Sequence, residues 1–277
     1  MENDALPHEK PEVVSIATPF SPRNLGYAAF AFALLLTALY LLTSKKRTKA
    51  KGTGFLLVGP SDAGKTCILS QLAYGNTLKT QTSMQPSTCT AQLTPQKSIQ
   101  ITDIPGHPRL RNQFQEHLAD TKVLAFVVDA NSISRNGPAV AEYLHLVLHA
   151  LTSLPPSQAQ PELLILAHKA DLFKTTSANN SATALAVNRV KVILERELEK
   201  RRVSHSGGIN IEGLGEEGER SDLGGLECGE KEDSAFKFDD WLGGEITFMG
   251  TSIPSGPVEK QADGGLHELT GWLEDNM

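Results

Sequence analysis

Residues 59–66 read Gly-Pro-Ser-Asp-Ala-Gly-Lys-Thr, a match to G-x-x-x-x-G-K-[ST], and they constrain the fold more than any other part of the chain. Phosphate is a dense anion, and a loop that binds it must aim several backbone N–H groups at one point. A glycine-rich turn between a buried strand and a helix N-terminus does this. The flanks supply both elements, with Phe55-Leu56-Leu57-Val58 before the loop and Cys67-Ile68-Leu69-Ser70-Gln71-Leu72 after it. The expected nucleotide contacts are Gly59, Pro60, Ser61, Asp62, Ala63, Gly64, Lys65, Thr66 and Cys67. Lys65 would reach the terminal phosphates and Thr66 would give its hydroxyl to Mg²⁺. A glycine turn without a ligand is the bland alternative, and the strand–loop–helix setting argues against it.

Two further motifs choose among phosphate-binding proteins. Asp103-Ile104-Pro105-Gly106-His107 ends an apolar strand, as D-x-x-G does in GTPases. There Asp103 would hold Mg²⁺ through water, and the Gly106 N–H would sense the γ-phosphate. Ala167-His168-Lys169-Ala170-Asp171 follows another strand, where GTPases carry N-K-x-D. Asp171 would accept hydrogen bonds from guanine N1–H and its 2-amino group, which adenine lacks. The Lys169 stem would lie along the base. His168 stands where Asn is usual, and its imidazole could hold the loop by a hydrogen bond. Thr251 and Ser252 follow the last predicted strand and are weaker candidates for a base-contacting loop. Thr80, Thr82, Thr88 and Thr90 precede Asp103, and Thr82 is favoured as a switch hydroxyl for Mg²⁺. His107 is the candidate for orienting an attacking water, a duty that Gln performs in many GTPases. Its bland alternative is a switch residue with no catalytic duty.

Around these motifs apolar strands alternate with helical patterns. Strands are expected at 55–58, 91–93, 99–104, 123–128, 163–167 and 245–249, with helices at 64–74, 139–151, 185–202 and 266–273. Residues 76–90 read as loop. The βα alternation predicts an α/β fold: a P-loop small-GTPase-like domain with a mostly parallel six-stranded sheet and helices on both faces. The domain should occupy 52–277, with a flexible, acidic, Gly-rich insertion at about 204–240.

Before this domain, residues 25–42 read LGYAAFAFALLLTALYLL, and no charge falls between Arg23 and Lys45. Such a run spans about 27 Å as a helix, near the thickness of a bilayer core. A transmembrane helix is expected at 25–44. The flank at 45–51 carries Lys45, Lys46, Arg47, Lys49 and Lys51, which places the following domain in the cytosol and the 1–24 tail on the other side. A cleaved signal peptide would carry its basic residues before the apolar run instead. The formal net charge of −6 gives no basic footprint for nucleic acid. Three scattered cysteines form neither a disulfide framework nor a zinc site.

Together, GPSDAGKT at 59–66, TQTS at 80–83, DIPGHPRLR at 103–111, Lys169–Asp171 and LTGWL at 269–273, after one N-terminal span, resemble the beta subunit of the signal recognition particle receptor, with a fungal cast. The resemblance implies an Arf- and Sar-related GTPase that spans the endoplasmic reticulum membrane and binds GTP or GDP with Mg²⁺. It also implies slow hydrolysis, docking of the receptor's alpha subunit over the switch regions, and proximity to ribosome and translocon. An Arf-like trafficking GTPase and a P-loop ATPase or kinase of another class are the competing readings. Intact Lys65, Thr66 and Asp103 argue against a scaffold that has lost its nucleotide.

Overall fold

The computed structural model describes residues 53–76, 80–173, 181–206, 224–228, 235–253 and 265–277. Its strands are β1 Gly54–Val58, β2 Ser87–Thr94, β3 Lys97–Asp103, β4 Thr121–Asp129, β5 Glu162–His168 and β6 Ile246–Gly250. Its helices are α1 Lys65–Tyr74, α2 Phe114–His117, α3 Ile133–Thr152, α4 Ala182–Ser206 and α5 His267–Asn276. The strands form one sheet in the order β2-β3-β1-β4-β5-β6. Every pairing is parallel except β2 with β3. The chain leaves β1 toward β3 on one side and returns to β4 on the other. The carboxyl ends of β1, β3, β4, β5 and β6 therefore share one edge, where ligands of such sheets bind.

Alternation along the strands builds two cores, one on each face. Leu56, Val58, Phe126, Val128, Ile165 and Ala167 face α3 and α4. Phe55, Leu57, Ala125, Val127, Leu164 and Leu166 face α1 and α5. β4 is almost wholly buried, as a parallel strand covered on both faces should be. Tyr143 of α3 packs edge-on against Phe126 at 5.6 Å between centroids and donates its hydroxyl to the Arg111 carbonyl at 3.2 Å. Arg111 in turn pairs with Glu142 and lies over the Tyr143 ring. This cluster fixes the segment that follows Asp103-Ile104-Pro105-Gly106 onto α3.

Three local expectations are corrected. The stretch read as loop to residue 90 becomes strand from Ser87, because β3 supplies a ladder that the polar sequence does not advertise. Thr88 Oγ1 and Thr102 Oγ1 add a cross-strand hydrogen bond at 3.1 Å. The helix expected from Ala139 begins six residues earlier at Ile133 and runs through Pro138. Asp129 Oδ1 accepts from the N–H groups of Asn131 and Ser132 and sets up the turn before it. Ile133 is buried, and Gly137 allows close approach to Ile193.

The third correction concerns the acidic insertion. Leu226, Cys228, Phe236 and Phe238 within it, and Trp241 just beyond, are buried in the core. Glu199 accepts from the Phe236 N–H at 2.7 Å, and Glu195 accepts from the Phe238 N–H at 3.3 Å and from Lys237 Nζ at 2.9 Å. Two carboxylates of α4, Glu195 buried and Glu199 half-buried, thus clamp the returning chain, and Trp241 Nε1 donates to the Gly225 carbonyl. The apolar run at 25–42 and its basic flank lie outside the described residues. Among the described residues no helix is long and apolar enough to cross a membrane.

Candidate functional site

The phosphate loop connects β1 to α1, and its backbone is one that this sequence can adopt. Gly59 has φ +144°, and a Cβ there would lie 2.3 Å from the Val127 carbonyl oxygen. Gly64 has φ +101° and caps α1, while Asp62 takes a left-handed φ of 61°. Only glycine tolerates the first two positions. Lys65 is buried and its Nζ donates to the Gly59 and Pro60 carbonyls, each at 2.8 Å. Burial pulls its pKa down to about 8, although Asp103 and Asp62 push the other way. The cation remains largely protonated at neutral pH in a place where few water molecules solvate it.

Thr66 Oγ1 donates to Asp103 Oδ2 at 2.5 Å, so the end of β3 meets the start of α1 as the motif spacing requires. Asp103 is fully buried and its Oδ1 has no hydrogen-bond partner among the described residues. Burial raises its pKa, against the Thr66 hydrogen bond and the Lys65 charge. An unpartnered buried carboxylate oxygen beside a hydroxyl is a donor set that suits a hard, oxygen-seeking cation such as Mg²⁺. Thr66 Oγ1 also lies 3.3 Å from Ser83 Oγ. Ser83 is thus the switch-region hydroxyl in contact with Thr66, and the favoured Thr82 lines the same cavity beside it. Thr80 meets Cys67 Sγ at 3.4 Å, and Thr88 and Thr90 are taken into β2.

Gly106 packs directly on the phosphate loop, where a Cβ would lie 2.3 Å from Ser61 N and 2.7 Å from the Gly59 carbonyl oxygen. His107 is exposed, and its Nδ1 accepts from the Arg109 N–H at 3.2 Å. Its ring therefore serves the turn that carries it.

The loop after β5 is tied to both the phosphate loop and the end of β6. His168 is buried and its Nδ1 lies 2.9 Å from Thr251 Oγ1. Its ring rests on Gly64, where a Cβ would come within 2.4 Å of it. Burial, reinforced by Lys169, drives its pKa down to about 4 against the pull of Asp129, so the ring is neutral at pH 7. Thr251 is buried as well, and its carbonyl accepts from the Ala170 N–H at 3.1 Å. Lys169 has φ 61° and its Nζ bridges the Asp62 carbonyl at 2.7 Å and Asp129 Oδ2 at 2.8 Å. Burial alone would raise the Asp129 pKa, but the Lys169 bond and charge, with the Ser132 and Asn131 N–H groups, hold it below the usual range. Asp129 ends β4 and belongs to none of the sequence motifs. Its signal is an aspartate closing an otherwise apolar strand. Asp171 is exposed in the short turn Ala170–Leu172, and the Ser252 N–H donates to the Gly265 carbonyl at 3.3 Å.

Ser61, Asp62, Gly64, Lys65, Thr66, Cys67, Thr82, Ser83, Gly106 and Lys169 surround one cavity of about 250 Å³. Its walls combine a cationic amine, backbone N–H groups at the start of α1 and hydroxyls, a donor set for an anionic ligand carrying a hard cation.

A family model described as the signal recognition particle receptor beta subunit matches residues 50–241. The human signal recognition particle receptor subunit beta is 31% identical over 188 residues, covering 67% of this chain and 65% of that protein. The Saccharomyces cerevisiae subunit is 27% identical over 175 residues, covering 60% of this chain and 66% of that protein. The chain thus spans just under two thirds of these relatives' lengths. A chain of the mammalian SRP receptor structure superposes with a TM-score of 0.60 at 25% identity, over 81% of this chain and all of that one. A chain of the SRb-GTP/SRX complex from Chaetomium thermophilum superposes with a TM-score of 0.56 at 20% identity, over 81% of this chain and all of that one, and shares the fold. The match across phosphate loop, switch segment and base loop places this chain in the signal recognition particle receptor beta subunit family.

Proposed function

We propose that this chain is a membrane-anchored GTP-binding module of the signal recognition particle receptor, which docks the receptor's alpha subunit at the endoplasmic reticulum. The observation that carries this is the meeting of three motifs at one sheet edge. Lys65 and Thr66 end up against Asp103, Gly106 against Ser61, and Lys169 against Asp62. GTP in this cavity would put its phosphates on the α1 N-terminus and Lys65, with Mg²⁺ at Thr66, Asp103 and Ser83, and its base near Lys169, Asp171 and Thr251. The bound nucleotide supplies a γ-phosphate whose presence or loss is felt at Gly106.

Two further features support a docking switch rather than a fast hydrolase. Gly106 is wedged on the phosphate loop, so its position depends on what that loop holds. His107 is engaged by its own turn. The related complex containing SRX accords with a protein partner. Anchoring rests on the apolar run at 25–42 and the basic flank after it, and proximity to ribosome and translocon rests on the family resemblance alone.

The test is equilibrium binding of GTP, GDP and ATP, with Mg²⁺, to the full chain in detergent, alongside Asp171→Asn. Guanine preference that moves toward xanthine nucleotides in the variant is the expected result. Equal affinity for ATP, or indifference to Asp171→Asn, would overturn the guanine assignment and favour a P-loop ATPase or kinase. Rapid turnover driven by an exchange factor would favour an Arf-like trafficking GTPase.

A further inference from the structure

The segment after β3 touches the phosphate loop at Gly106, and it meets that loop a second time through Tyr143 of α3. Tyr143 is buried in one core cluster with Val58, Ile104, Phe114 and Phe126. Its ring packs on Phe126 and Phe114, with centroids 5.6 and 6.4 Å away. That packing brings the phenol to two chain segments at once. Its O–H donates to the Arg111 carbonyl at 3.2 Å, and its oxygen accepts from the Gly59 N–H. A neutral phenol can donate and accept together, so one group serves both segments. Burial pushes the Tyr143 pKa well above the ordinary phenol value, against the pull of Arg111, and keeps the proton in place.

Between Gly106 and Arg111 the chain is internally bonded. The Leu110 and Arg111 N–H groups donate to the His107 carbonyl at 2.8 and 3.0 Å, and the Gln113 N–H donates to the Leu110 carbonyl at 3.1 Å. The Arg111 guanidinium pairs with Glu142 and lies 5.5 Å from the centre of the Tyr143 ring. A displacement of Gly106 is therefore carried to Arg111. Gly59 stands at the other end of the path. Its N–H meets Tyr143, and its carbonyl accepts from Lys65 Nζ at 2.8 Å. Lys65, Gly59, Tyr143 and Arg111 thus form a hydrogen-bonded path from the amine expected on the terminal phosphates to the end of the switch turn.

We propose that Tyr143 is a positioning residue of the nucleotide site, whose phenol couples the phosphate loop to the 107–111 turn and so helps to distinguish GTP from GDP. This role rests on the GTP-binding reading above and extends it to a residue outside every nucleotide motif. GDP needs the phosphate loop alone. GTP needs that loop and Gly106 in register with it, and Tyr143 holds the two in one arrangement. Phenylalanine would keep the ring and its packing, but it can neither donate to Arg111 nor accept from Gly59. The two segments would then be set independently.

The experiment compares the full chain in maltoside micelles with Tyr143→Phe and Glu142→Gln. It uses isothermal titration with GTP and GDP in Mg²⁺, and amide hydrogen exchange without nucleotide. Tyr143→Phe should weaken GTP at least about fivefold more than GDP. In the nucleotide-free chain it should speed exchange in 57–65 and in 105–117, with little change in β5. Glu142→Gln keeps the phenol and should shift the ratio of GTP to GDP affinity by less than about twofold. Equal losses for the two nucleotides would show a phenol that only stabilises the fold, and would overturn the coupling. Unaltered exchange in either segment would overturn it too. A Glu142→Gln effect as large as that of Tyr143→Phe would move the coupling to the ion pair and reject the phenol. A parent chain that prefers ATP would sink the guanine reading, and ATP against ADP would then decide the coupling. The exchange measurement needs no nucleotide, so it decides the bridge in either case.

Discussion

His168 and Thr251 are joined at 2.9 Å between Nδ1 and Oγ1, and both side chains are buried. The bond ties the end of β5 to the loop after β6, and the same ring rests on Gly64 of the phosphate loop. His168 is therefore a structural joint between the two halves of the nucleotide site. Thr251→Val keeps the shape and removes the hydroxyl. It should cost about 1–3 kcal/mol of stability, read by urea unfolding, with GTP affinity falling alongside.

The same ring gives a pH dependence with a definite sign. Its pKa falls from an ordinary 6.5 to about 4 on folding. Between those values the unfolded chain binds the proton and the folded chain does not, so stability is intact above about pH 6.5 and declines toward pH 4. The full loss is about 3 kcal/mol. His168→Asn should flatten that part of the stability profile, measured by denaturant unfolding from pH 7.5 to 4. An unchanged slope would show that another group carries it.

Lys65 holds a positive charge in a buried position that depresses its pKa to about 8. Its burial is unfavourable for the free fold and useful only when phosphate compensates it. Lys65→Met should leave the nucleotide-free chain as stable as the parent or more so. The same variant should lose at least about a hundredfold in GTP affinity, about 3 kcal/mol. GTP affinity of the parent should also fall as pH rises through 8, where the amine loses its proton.

Gly106 has no room for a methyl group, since Ser61 N and the Pro60 carbonyl carbon stand 2.3 and 2.4 Å from the position of its Cβ. Gly106→Ala should push the switch segment off the phosphate loop. The effect expected is at least a tenfold loss in GTP affinity, about 1.4 kcal/mol, with a smaller change in GDP affinity. Isothermal titration with both nucleotides separates the two.

Asp103 and Thr66 predict the metal dependence. Asp103→Asn removes the carboxylate whose Oδ1 lacks a partner among the described residues. GTP affinity of the parent should rise on adding Mg²⁺, and Asp103→Asn should remove most of that rise while preserving metal-free binding. Ser83→Ala should reduce the Mg²⁺ effect and Thr82→Ala should not. The reverse order would assign the switch hydroxyl to Thr82.

The sequence by itself determined the elements whose chemistry is local. Gly59 and Gly64 mark a backbone that other residues cannot adopt, and β4 and β5 are apolar enough to be read as strands covered on both faces. Motif order along the chain was sufficient to anticipate that Thr66, Asp103 and Lys169 gather at one edge. Only the tertiary structure decided the rest, because those outcomes depend on partners remote in sequence. β2 is strand because β3 lies beside it. α3 runs through Pro138 because Ile133 is buried and Gly137 meets Ile193. Phe236 and Phe238 are held in the core because Glu195 and Glu199, some forty residues earlier, accept their N–H groups. Ser83 rather than Thr82 contacts Thr66 because the path of an irregular loop, which the motif string does not specify, decides which hydroxyl turns toward it. Asp129 joins the site because Lys169 reaches it from the neighbouring strand. His168 substitutes for asparagine because its ring fits between Gly64 and Thr251, a match of shape and hydrogen bonding that no single segment contains.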